Sequence, residues 1–98
     1  MAMMEISVSP RGAPTLSLST YVARALRALG TTDLSHQTHA MGTIIEGPVD
    51  QLFKVAELMH EACFGDEIQR VVTAIKIDDR RDISRNMAEK LDSLESKL

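Results

Sequence analysis

Glu46 lies within the run His39-Ala40-Met41-Gly42-Thr43-Ile44-Ile45-Glu46-Gly47-Pro48 and sets a carboxylate in an otherwise apolar strand. Burying a lone carboxylate is costly, so such a group is solvated, paired or used. Used, it would accept a hydrogen bond from an amine or hold a protonated ring nitrogen of a heterocycle. Paired, it would meet Lys76 or Arg80 across strands, or a group across an oligomer interface. Both readings stay open at the level of residues.

Other reactive side chains are less suggestive. His36 and His39 are three apart, which in a strand puts them on opposite faces. No Cys/His/Asp cluster completes a four-ligand set, so a metal site is not expected. Cys63 falls near the apolar stripe of a helix and reads as a small buried hydrophobe without a histidine base. His60, between Glu57 and Glu61, reads as a helix-surface residue. Pro10-Arg11-Gly12 lacks the glycine density and lysine of a phosphate loop. A phosphate cradle of the acylphosphatase kind would need an asparagine, and Asn86 sits in the terminal helix. No nucleophile–base pair emerges, so an enzyme is not expected and no cofactor is implied.

The elements that must position Glu46 follow from periodicity. Met4 to Ser9 alternates as a half-buried strand, and Pro10 to Pro14 makes a loop. Ser17 or Ser19 can cap a helix to about Leu29, with Val22, Ala25, Leu26 and Leu29 as its stripe. Gly30 suits a left-handed helix end. Leu34 to Ala40 and Thr43 to Glu46 read as a hairpin turning at Met41-Gly42. Pro48 opens a helix that runs to Gly65 through Leu52, Val55, Ala56, Met59 and Cys63. Gln69 to Ile77 is the clearest strand. Asp82 can cap a last helix carrying Ile83, Met87, Leu91, Leu94 and Leu98.

This order, β-α-β-β-α-β plus a C-terminal helix, predicts an α+β ferredoxin-like sandwich with antiparallel sheet order 4-1-3-2. A single domain spans residues 1–98, with a core of about 4–80 and the added helix at about 82–97. Both long helices cover one sheet face, and Val71, Thr73, Ile75 and Ile77 belong against them, as do Ile6 and Val8. The other face collects Glu5, Ser7, Ser9, Gln37, His39, Ile44, Glu46, Val72, Ala74 and Lys76. That mixture suits a second sheet, a small polar ligand, or both. A one-residue slip in the hairpin would move Gln37 and His39 off it.

Composition narrows the partners. A net charge of −3 argues against nucleic acid. Arg80-Arg81 is flanked by Asp78, Asp79 and Asp82, which neutralise it. One cysteine forbids an internal disulfide and fits a reducing cytoplasm. No segment reads as a signal peptide or a membrane span. Tyr21, Phe53 and Phe64 are the only aromatics, too few for base stacking.

Three segments together resemble the YkoF-type thiamine-binding family of small ferredoxin-like proteins. They are Ile6-Ser7-Val8-Ser9-Pro10-Arg11-Gly12, the hairpin from His39 to Gly47, and Arg70 to Arg80 with its Lys76-Ile77-Asp78-Asp79-Arg80 end. The resemblance covers roughly residues 4 to 82. Ala40 stands where the family often has proline. The resemblance implies a non-enzymatic binder of thiamine or its hydroxymethylpyrimidine half, working as a homodimer or homotetramer with sheets packed face to face. The expected ligand groups are Glu46, Thr43, Ser7, Ser9, Gln37 and His39, with Met41 and Ile44 packed on the ring. The alternative is a structural or regulatory oligomer whose open face serves assembly only.

Overall fold

The alternating segment at the start of the chain forms the central strand β1 (Ala2–Arg11). Its even-numbered residues, from Ala2 to Pro10, turn toward the helices, and Met4 and Ile6 are fully buried there. The computed structural model describes residues 1–12, 19–65, 67–82 and 86–98. The remaining elements are α1 (Ser19–Gly30), β2 (Ser35–His39), β3 (Gly42–Gly47), α2 (Val49–Ala62), β4 (Arg70–Asp78) and α3 (Met87–Glu95). The sheet order β2-β3-β1-β4 is the expected 4-1-3-2 read from the other edge, and every neighbouring pair is antiparallel.

β1 outruns its expected ends because its ladder with β4 continues from Met3↔Asp78 to Arg11↔Arg70. Pro10 therefore lies in the strand and not in the loop. Ala25 and Leu29 of α1, with Leu52, Val55, Ala56 and Met59 of α2 and Cys63 just after it, close over Met4, Ile6 and Ile45. Tyr21 joins α1's buried face and donates a 2.6 Å hydrogen bond to Glu67. That bond and burial push the Tyr21 phenol above its ordinary range.

Several local expectations are corrected. Gly30 does not adopt positive φ; Gly12 and Gly42 do. At Gly42 a Cβ would lie 2.9 Å from the Ile6 carbonyl oxygen, so the close approach of β3 to β1 requires glycine. The hairpin turns at Ala40-Met41, with His39↔Gly42 and Gln37↔Ile44 paired. This register differs by two residues from a Met41-Gly42 turn. An even slip preserves side-chain parity, so Gln37 and His39 keep their face. The last helix begins at Met87, and Asn86 caps it by accepting from the Glu89 amide at 2.8 Å, in place of Asp82. The Ser17 cap and Ile83 lie outside the described residues. Ile75 points to the helix side as expected, yet is 44 % exposed, because the two helices cover the middle of the sheet more than its β4 edge.

Candidate functional site

Strand register arranges the open face in cross-strand rows. Ser35, Glu46, Met3 and Asp78 form one row; Gln37, Ile44, Glu5 and Lys76 form the next. Beyond them Ser7 pairs with Ala74 and Ser9 with Val72, while His39 stands opposite Gly42 at the hairpin end. Residues two apart along a strand are separated by about 7 Å.

Helix α3 crosses the first row and is held at two of its members. Glu46 Oε2 accepts from the Met87 amide at 2.8 Å. Lys90 Nζ lies 2.7 Å from Asp78 Oδ2. The ammonium hydrogen bond and charge hold the Asp78 carboxyl below the usual aspartate range. Arg80 and Arg81 pair instead with Asp82 and Asp79, so neither Lys76 nor Arg80 is the hydrogen-bonded partner of Glu46.

α3 leaves a groove on each flank. One, of about 270 Å³, is lined by the apolar side chains of Met3, Ile44, Met87 and Leu91, with Glu5, Lys76, Asp78 and Lys90 at hand. The other, of about 380 Å³, runs past Ser35, His36, Gln37 and Glu46 to Asp92 and Glu95 of α3. The first has room for a small, flat molecule, and its two thioethers, of Met3 and Met87, can adapt to a ring face. The second is rich in carboxylates and suits a cationic or amine-bearing group.

The expected ligand residues divide by place. Glu46, Gln37 and Ile44 lie together under or beside α3. Ser7 shares a small hollow of about 110 Å³ with Met41, Glu5, Ala74 and Lys76. Met41 is 84 % exposed at the turn. His39 occupies the hairpin end of the same face. Ser9 is six residues along β1 from Met3, roughly 20 Å, so a small ligand on Glu46 does not reach it. Thr43 departs from the expectation. Ile6↔Thr43 pairing turns it to the helix side, where it is buried and its Oγ1 lies 3.2 Å from Thr38 Oγ1. Thr43 lines a separate cavity of about 170 Å³ between the hairpin and α1.

Met3 and Met87 were missed as neighbours of Glu46, and Asp78, Lys90 and Leu91 as lining of the grooves beside α3. The signal was available in part, since extending β1 by two residues puts Met3 in the Glu46 row and Asp78 beside it. The path of α3 had no such signal. His60 is not a free surface residue: its Nδ1 lies 2.7 Å from Thr73 Oγ1 on β4, and its ring meets Phe64 edge-on. Cys63 is fully buried, and burial pushes its thiol up, which disfavours the nucleophilic thiolate. No group of three or more His, Cys, Asp or Glu arranged to hold a metal occurs among the described residues. No helix among them is long and apolar enough to cross a membrane.

The sheet, its open face and the helix that crosses that face define a ferredoxin-like protein, and residues 4–95 match the family of thiamine-binding proteins. The chain belongs to that family. It is 37 % identical to a UPF0045 protein of Methanothermobacter thermautotrophicus over the whole of both chains. It is 36 % identical to the UPF0045 protein YqgV of Bacillus subtilis, covering 100 % of this chain and 98 % of the relative. A hypothetical protein from Methanocaldococcus jannaschii superposes with a TM-score of 0.87 at 33 % identity, over 96 % of this chain and 95 % of that one. A Thermotoga maritima protein, provisionally named for thiamine biosynthesis or salvage, shares the fold with a TM-score of 0.79 at 16 % identity, covering 95 % and 97 %.

Proposed function

We propose that this chain is a non-enzymatic binder of thiamine or of its hydroxymethylpyrimidine half, acting as a cytoplasmic homo-oligomer. The ligand lies on the open sheet face around Glu46. The observation that carries the reading is a carboxylate in the first row of that face, bordering a carboxylate-rich groove and close to an apolar one. An aminopyrimidine carries an exocyclic amine and ring nitrogens, and a carboxylate accepts from the amine or from a protonated ring nitrogen. Gln37 supplies a further donor and acceptor, and Ile44 a surface for the ring. Ser7, His39 and Met41 border the far end of the face; Ser9 and Thr43 are too distant or turned away to join them.

Family membership supports the ligand class. The buried, protonated Cys63 supports binding over covalent catalysis. Exposed apolar side chains support assembly: Phe53, Leu58 and Phe64 in and just after α2, Ile75 on β4, and Leu91 and Leu94 on α3. The competing reading is an assembly-only open face, favoured by the engagement of Glu46 with the chain's own Met87 amide.

Thermal unfolding with thiamine, hydroxymethylpyrimidine and buffer separates the two. A binder gains about 2.7 kcal/mol at a ligand concentration of 100 times Kd. A midpoint unmoved by either compound up to millimolar concentration favours assembly alone.

A further inference from the structure

The first turn of α3 presents to Glu46 what an amine-bearing apolar ligand would present. The Met87 amide donates to the carboxylate at 2.8 Å, and the Met87 side chain is pressed against the open face with 9 % exposure. The rest of the helix is lightly held. Met87 is its one buried residue. Leu91 and Leu94 are 49 % and 58 % exposed. The Lys90–Asp78 pair has both side chains more than half exposed, and such pairs contribute little. Nine residues are also too few for a helix to be stable alone. Grooves on both flanks show that α3 lies on the face without filling it.

We propose that α3 is a displaceable strap: its Met87 amide and side chain occupy the ligand's place on Glu46, and ligand binding lifts the first turn away. The inference rests on the ligand reading of the open face. It makes the helix an internal competitor. Apparent affinity is then reduced by the fraction of molecules in which the strap is down, and loosening the strap raises affinity. A helix that served as a wall of the site would behave oppositely.

Asn86→Ala discriminates between these. Asn86 is exposed, lines neither groove, and caps α3 through the Glu89 amide. Its removal weakens the helix without touching Glu46 or the core. Calorimetric titration of the full-length wild type and variant with thiamine, and separately with hydroxymethylpyrimidine, reads the effect. The strap account expects binding about fivefold tighter in the variant, from the usual worth of a cap. Hydrogen exchange at the Met87 amide should also accelerate when the ligand is added to the wild type. Binding by the variant alone would be the extreme form of the same result. Wild-type binding with equal or weaker affinity in the variant, or with a Met87 amide more protected by ligand, overturns the strap and leaves the ligand reading intact. Flat titrations of both proteins overturn the ligand reading and the strap with it.

Discussion

Glu46 accepts a hydrogen bond from a backbone amide at the start of a helix, a position where negative charge is favoured. Its carboxylate therefore has a structural use in the free protein, and a substitution there acts on two equilibria. Glu46→Gln keeps size and an acceptor oxygen but removes charge. It should weaken aminopyrimidine binding by about 1.5–3 kcal/mol, the worth of a hydrogen bond to a charged group, while sedimentation shows an unchanged assembly. A broken assembly with unchanged affinity would assign Glu46 to the interface. Cys63 gives a second test at this scale. Buried and with its thiol proton held, it should react with an alkylating reagent at neutral pH only as the protein unfolds, so fast labelling of folded protein would contradict its placement. The carboxylate's face was legible in the sequence, because alternation in β3 separates Glu46 and Ile44 from Ile45. Its partner was not, because a hydrogen bond from an amide 41 residues away leaves no periodic trace.

The hairpin shows how much an element's pattern determines. Its turn residues were read one position late, which shifts the pairing register by two, and Gln37 and His39 stayed on the open face because that shift is even. Thr43 was misplaced by reading chemistry ahead of parity: its neighbour Ile44 faces outward, so Thr43 must face inward. The buried half of β3 carries stability. Ile45→Ala should cost about 2–5 kcal/mol in denaturant unfolding, since Ile45 is fully enclosed by helices and β1. A loss below 1 kcal/mol would contradict that enclosure. For α3, the pairing of Asp78 with Lys90 predicts a pH response with a definite sign. A carboxyl whose folded pKa is depressed contributes stability above its unfolded pKa and loses it as pH falls through the folded value. Docking of α3, followed by amide exchange, should therefore weaken as pH falls below the ordinary aspartate range, and high salt should weaken it at neutral pH. The start of α3 was read too early because Asp82 and Asn86 are both competent caps, and only packing of Met87 on the face selects the later one.

Across the whole molecule, one face of a four-stranded sheet builds the core and the other is left to a short helix, two grooves and a set of polar side chains. The strand order and the covered face were legible, because two helical stripes and a β-α-β-β-α-β order leave few right-handed solutions. Ile75 was read as core, whereas the β4 edge is left partly bare, which is a property of helix placement and not of strand pattern. That edge and the exposed leucines of α3 predict a dimer or tetramer by sedimentation at micromolar concentration; a monomer would contradict the assembly. Binding of thiamine or its pyrimidine half on the open face around Glu46 is the proposal that joins these scales. Its most direct test is calorimetric titration of the wild-type protein and Glu46→Gln with both compounds. Saturable binding to the wild type, weakened about tenfold or more by the substitution, is the expected result. Equal affinity in the two proteins, or no binding to either, would contradict it.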